Sequence, residues 1–340
     1  MHLDILEAVK ERDDLSWYAR KADGLRSPAR AEVSAQQDQD ARVPELLEEL
    51  RVRGIRGSLA DRTLYARHLP PGCRGCLAGK GTNLYVTGLC TRECFFCFNH
   101  RPRTDETVVH GLPVRTSQEA VEIVARYHLR SIGISGGEPL LKLDRTLELV
   151  RSLRALPQRL RLDLYTNGDL LTRESALQLK EAGVDSLRFN LAANGFELGP
   201  VRIALEHFPD TTVEIPAVPA LARELERMVL DLDALGVPFL NIHELFECRE
   251  NSSQIHGQGH SSADRGSSHL LWRPVLGGEA AALELLLFSL KNAKRLSAYY
   301  CSCRTQELIS QRGLKRRKRL SSPLQARIPV EERFRGGRGG

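Results

Sequence analysis

From residue 82 onward the chain alternates between apolar runs of strand length and stretches of helical periodicity. The runs are 83–89 (NLYVTGL), 131–135 (SIGIS), 160–166 (LRLDLYT), 186–191 (SLRFNL), 212–218 (TVEIPAV) and 239–245 (FLNIHEL). Helical patterns fall near 117–129, 144–155, 173–182, 199–207 and 222–235. Gly183 and Gly236 stand where a left-handed residue ends a helix. Six strands joined through helices require right-handed crossovers and a parallel sheet. The expected fold is therefore α/β, a partial (β/α)6 TIM-type barrel, in which chemistry sits at the C-terminal ends of the strands.

The flanks differ from this core. Residues 1–72 read as an N-terminal helical extension: an amphipathic helix ending near Gly24 and Pro28, a polar linker over 31–43, and a short helix 45–52 opened by Pro44. The barrel unit is expected over 73–300, with its core at 82–246 and a Ser-, Gly- and His-rich mobile loop at 249–269. A helix is expected at 278–295, and residues 301–340 read as a cysteine pair followed by a basic, disordered tail. The net charge of +6 conceals this division. From Arg304 onward there are 11 Lys/Arg against 3 Asp/Glu, which leaves 38 basic and 40 acidic residues for the rest. No apolar run reaches the 18 residues of a membrane span, and the charged N-terminus lacks a secretory core, so a cytoplasmic protein is expected.

Of eight cysteines, seven fall in three tight groups: Cys73 and Cys76; Cys90, Cys94 and Cys97; Cys301 and Cys303. Such grouping points to metal ligands rather than disulfides. The eighth, Cys248, reads as a small buried hydrophobe. The central group, Cys90-Thr-Arg-Glu-Cys94-Phe-Phe-Cys97, begins where the first barrel strand ends. Three thiolates can hold three irons of a cubane and leave the fourth open to an outside ligand; a zinc knuckle is the alternative use of the same residues. Cys73, Cys76, Cys301 and Cys303 together suit an auxiliary iron–sulfur cluster or a zinc ion, and two unrelated reduced pairs are the other reading.

The Cys-x3-Cys-x2-Cys spacing after a first strand resembles the signature of the radical S-adenosylmethionine (SAM) superfamily. The likeness extends over about residues 82–245. Phe96 matches an aromatic position whose backbone meets the adenine. Gly136-Gly137-Glu138-Pro139 matches the segment that contacts the methionine amine, and Tyr165-Thr-Asn167-Gly the one that contacts the ribose. The resemblance implies a [4Fe–4S] cluster on Cys90, Cys94 and Cys97, reductive cleavage of SAM, and hydrogen abstraction by a 5′-deoxyadenosyl radical. It also implies an electron donor such as flavodoxin or ferredoxin. Each motif has a plainer use: Glu138 as a helix N-terminal acid, Asn167 as a turn residue.

Within that superfamily the run Cys73–Cys97, with Gly79-Lys80, resembles proteins related to pyruvate formate-lyase activating enzyme. Alternation places Asn241, His243 and Leu245 on one face of the sixth strand and Ile242 and Glu244 on the other. Asn241 and His243, with Arg188 and Asn190 on the fourth, are candidates to face a small-molecule, peptide or protein substrate, or simply to bond within the barrel. His256 and His260 read as loop residues. Lys315-Arg-Arg-Lys-Arg319 offers a possible contact to RNA, making an RNA-modifying radical SAM enzyme the second reading. A zinc-dependent nucleic-acid-binding protein without catalysis is the third.

Overall fold

The computed structural model describes residues 40–255 and 272–320, with side chains to Arg316. The helix expected within 1–30, most of the linker, His256, His260 and the tail beyond residue 320 lie outside the described residues.

The six expected strands form within a residue or two of their predicted limits: β1 (Gly81–Thr87), β2 (Ser131–Gly136), β3 (Arg161–Thr166), β4 (Ser186–Asn190), β5 (Thr212–Ala217) and β6 (Phe239–Glu244). All pair in parallel in chain order. A seventh parallel strand, β7 (Ser297–Cys301), follows β6 and corrects the count of six. Its five residues are buried on both faces, so no alternation marks it, and Tyr-Tyr-Cys-Ser-Cys reads as a cysteine pair instead. Antiparallel hairpins cover both edges of the sheet. The hairpin of residues 107–109 and 112–114 pairs onto β1 through 107–109, and that of residues 56–58 and 63–65 onto β7 through 63–65. The sheet curls, because Tyr85 of β1 and Tyr299 of β7 line one cavity.

Helices clothe the outer face: α1 (Val43–Val52), α3 (Ser117–Arg126), α4 (Leu143–Arg154), α5 (Arg173–Ala182), α6 (Gly199–Leu205), α7 (Ala222–Leu235) and α8 (Gly278–Asn292). Their ends obey local chemistry. Thr116 Oγ1 accepts from the Glu119 amide, Thr172 and Ser175 form a reciprocal capping box, and Gly183 and Gly236 take φ of +109° and +85°. In α8 nine residues are buried, because it packs between α1, α7 and the β6–β7 end of the sheet.

Two elements depart from expectation. The first cysteine pair lies on a short helix, α2 (Pro71–Leu77), which was not foreseen. Its glycines allow it to press on the inner ends of the strands: a Cβ at Gly72 would stand 1.9 Å from Asp163 Oδ2, and one at Gly75 2.3 Å from Ser131 Cβ. The disordered tail is corrected over its first part, because Cys303–Leu320 is helix α9, packed on α2. Arg312 donates to the Leu77 carbonyl, and Arg316 to the carbonyls of Tyr127 and His128 at 3.2 and 3.1 Å. These are carbonyls at the C-terminal ends of α2 and α3, where cations are favoured.

Candidate active site

The lumen of the partial barrel is a cavity of 460 Å³. At its rim, the loop after β1 presents Cys90, Cys94 and Cys97 to the cavity. The loop is braced from the end of β3. Arg92 forms a two-pronged ion pair with Asp169 (2.6 and 2.7 Å), and Thr91 donates to the same carboxylate at 2.9 Å. Asn167 closes this knot: its Nδ2 donates to Thr91 at 2.8 Å, and its Oδ1 accepts from the Asp169 amide at 2.9 Å. Burial pushes the Cys90 thiol up to about 11 and that of Cys94 higher still. A free thiolate is therefore disfavoured here, and metal ligation would offset that cost.

The end of β2 is stitched to the same loop through the backbone. Gly137 N donates to Thr87 O at 2.7 Å and Glu138 N to Leu89 O at 2.8 Å. A Cβ at Gly136 would meet Thr87 O at 2.2 Å, and one at Gly137 would meet Leu89 O at 1.8 Å. Both glycines line the cavity, but the crowding that requires them comes from the chain's own carbonyls. Glu138 and Pro139, expected at the methionine end of SAM, do not line the lumen. Pro139 opens a short 3-10 helix, and the Glu138 carboxyl turns into the fold toward three donors: the amides of Leu140 and Asn167 and the Thr166 hydroxyl. Burial raises Glu138 to about 7 against the pull of those bonds. Asn167 lines the cavity with its amide engaged in the loop brace. Phe96 lines it too, and its carbonyl accepts from Asn251 at 3.3 Å.

The deep part of the lumen is polar. The pairing register sets Asn190, Glu214, Asn241 and Tyr299 in one row across four strands, with His243 beside Cys301 two residues further on. Glu214 is the hub. It meets Arg188 Nε at 2.6 Å, His243 Nε2 at 2.5 Å and Asn241 Nδ2 at 3.1 Å. Burial raises the Glu214 carboxyl, but Arg188 and His243 outweigh it and leave it below its ordinary value. Arg188, 2% exposed, also reaches Asp163 at 3.3 Å and lies 5.0 Å over the Tyr165 ring. All four expected substrate-facing residues, Arg188, Asn190, Asn241 and His243, do line the cavity. Sequence reasoning missed their acidic partners Asp163 and Glu214, although a carboxylate within an apolar strand run is itself a signal. It also missed the aromatic mouth, where Phe246 stacks on Trp272 at 4.1 Å beside Phe98.

The outer cysteines do not assemble as a set of four. Cys73, Cys76 and Cys301 line the lumen, and Cys73 packs against Cys301 and Tyr299. Cys303 turns away to pack with Cys248, Phe246 and Trp272, because the turn at Ser302 ends β7 and starts α9. Cys248 is buried as expected. All eight cysteines are free thiols. Among the described residues, no three His, Cys, Asp or Glu side chains are gathered as a single metal ion would require. The thiolates of a cubane sit on separate irons and stand wider apart, so the three rim thiols on one short loop suit a cluster better than a zinc ion.

Residues 84–231 match the radical SAM superfamily. The chain thus carries a radical SAM domain on a largely parallel α/β barrel, and it is an enzyme of radical chemistry, with a [4Fe–4S] cluster and SAM as cofactors, a reductant and a substrate. Among relatives, a protein of Methanocaldococcus jannaschii described as a proposed glycyl-radical enzyme activating enzyme is 27% identical over 272 residues, 76% of this chain and 70% of that one. GTP 3′,8-cyclase of Listeria monocytogenes is 32% identical over 109 residues, only 31% of either chain. The FeFe-hydrogenase maturase HydG of Carboxydothermus hydrogenoformans aligns with a TM-score of 0.45 at 12% identity, over 87% of this chain and 70% of that one. No helix among the described residues is long and apolar enough to cross a membrane.

Proposed function

We propose that Cys90, Cys94 and Cys97 hold the [4Fe–4S] cluster at the rim, and that the substrate lies beneath it against Asn190, Arg188, Asn241 and His243. The observation that carries this is that three thiols on one braced loop open into the same lumen as a buried, polar wall. When bound, the cluster and SAM supply one-electron cleavage of the sulfonium to methionine and a 5′-deoxyadenosyl radical, which takes hydrogen from the substrate. The protein's part is positional. Arg92, Asp169, Thr91 and Asn167 hold the loop, and the backbone at Gly136 and Gly137 borders the place for the methionine group. Phe96 and the stacked Phe246–Trp272 pair offer apolar surface for the adenine and shield the lumen from water. His243, 31% exposed and bonded to Glu214, is the side chain placed to hold or release a proton beside the substrate.

The substrate is a small molecule, a peptide or a protein side chain that can enter the lumen; the activating-enzyme relative favours the last. A flavodoxin or ferredoxin is the expected electron donor, and eight free thiols suit a reducing, cytoplasmic setting. RNA guidance has less behind it, because Arg312 and Arg316 are occupied with carbonyls of the fold. The test is anaerobic: reduced, reconstituted protein should form 5′-deoxyadenosine from SAM, and Cys94→Ala should lose this entirely. Equal nucleoside formation by both proteins would sink the assignment.

A further inference from the structure

The chemistry above leaves the deep thiols unused. Cys73 and Cys76 lie one turn apart on α2, so both face the same way. Cys301 arrives from the other end of the chain, at the end of β7, and packs against Cys73. All three line the lumen that the rim cysteines also line. Two N–H donors are aimed at one of these sulfurs: Arg188 Nη2 at 3.2 Å and Asn241 Nδ2 at 3.4 Å from Cys73 Sγ. A neutral thiol is a weak acceptor and does not call for a buried guanidinium. A metal-bound thiolate does, and such bonds to sulfur are a regular part of iron–sulfur sites.

Further buried polar atoms face the same place. Asn241 must turn its Nδ2 to Glu214 and Cys73, which leaves its buried Oδ1 unbonded at the wall of the lumen. The hydroxyl of Tyr299, 1% exposed, lies against the Cys301 thiol. A buried polar atom without a partner, beside three thiols, marks a place built to receive a polar group.

We propose that Cys73, Cys76 and Cys301 ligate a second iron–sulfur cluster, a cubane on three thiolates whose fourth iron faces the lumen. Its open position would take a heteroatom of the substrate, within reach of Asn241 Oδ1 and the Tyr299 hydroxyl. Arg188 offsets the charge of the cluster, while Arg161 shares Asp163 with it, at 2.6 Å. A zinc ion fits less well: the three thiols are not gathered for a single ion, and the fourth cysteine, Cys303, points elsewhere. The location of the substrate rests on the radical SAM reading; the ligand set does not.

The test uses the full chain, reconstituted anaerobically with iron and sulfide. Iron, sulfide and zinc are counted, and the reduced protein is examined by electron paramagnetic resonance with and without SAM. Wild type should hold about eight irons and Cys94→Ala about four, the latter with a signal that SAM does not alter. Cys73→Ser/Cys301→Ser should also hold about four irons, with a signal that SAM does alter. Cys301→Ser alone, a near-isosteric change, should halve the iron in the same way, and Cys303→Ala should match wild type. The proposal is overturned if Cys73→Ser/Cys301→Ser and Cys301→Ser retain the wild-type iron, if Cys94→Ala retains none, if zinc occupies the site, or if Cys303→Ala halves the iron. If SAM alters no signal in any variant, the rim assignment fails, and the iron left in Cys94→Ala still decides the deep site.

Discussion

The rim and the deep end of the lumen present the same ligand atom, a cysteine sulfur, but they are built in opposite ways. The rim is local. Cys90, Cys94 and Cys97 share one loop, and their supports come from the ends of the next two strands. The deep end is assembled from residues 73, 76, 163, 188, 214, 241, 299 and 301, which only the curled sheet brings together. A locally built site can lose its chemistry without losing the fold. A site built from distant parts is also a piece of the core, so damage to it should register first in stability.

That contrast predicts the largest effect at Arg188. Arg188→Met leaves two carboxylates with reduced compensation in a dry interior and should cost on the order of 3–5 kcal/mol, read as a lower urea midpoint. Pairing it with Glu214→Gln should restore part of the loss. A double variant that is no more stable than Arg188→Met would break the picture of a coupled deep network.

Glu138, at the seam between the regions, should dominate a pH effect. Its carboxyl is raised from 4.5 to about 7, so the fold favours its protonated form. The associated stability is complete below pH 4.5 and is lost as pH rises through about 7. At roughly 1.4 kcal/mol per unit this is on the order of 3 kcal/mol. The melting temperature of wild type should therefore fall against that of Glu138→Gln between those limits. Parallel curves would mean that the group is already ionised at low pH.

At the rim, Gly137→Ala must push a methyl into the Leu89 carbonyl, at a cost of about 1–3 kcal/mol. It should also displace the cysteine loop, so iron retention should fall more than stability does. The smallest effect is expected at the brace. Arg92→Gln removes a partly buried two-pronged ion pair worth about 1–2 kcal/mol. It should speed loss of iron to a chelator several-fold while lowering the urea midpoint by well under half as much as Arg188→Met does. If instead the midpoint falls as far as in Arg188→Met, the division between a local rim and a structural deep end is wrong.

The same contrast decides what could be read from sequence. Six strands announced themselves by length and spacing, and the rim by cysteines and glycines close together in the chain. Strand β7 did not, because a strand buried on both faces loses its alternation. Nor did Glu214: its worth depends on Arg188, Asn241 and His243, each on another strand. Cys303 misled because spacing alone cannot reveal a turn that sends two neighbouring cysteines into different clusters. The bonds of Glu138 and Asn167 were hidden for a related reason: the Thr166 hydroxyl that donates to the Glu138 carboxyl and the Thr91 hydroxyl that accepts from the Asn167 amide are brought up only by the folded strand ends.

Strand β7 has one more consequence. It pairs with β6 on one side and with residues 63–65 on the other, joining the last strand of the sheet to a hairpin that precedes the first. Contacts between such distant segments form late and slowly. On the ribosome, β1 to β6 are complete before β7 emerges, and until it does the wall that carries Tyr299 and Cys301 is missing. The barrel thus has an order of synthesis in which the final strand is the last to close the side of the chamber.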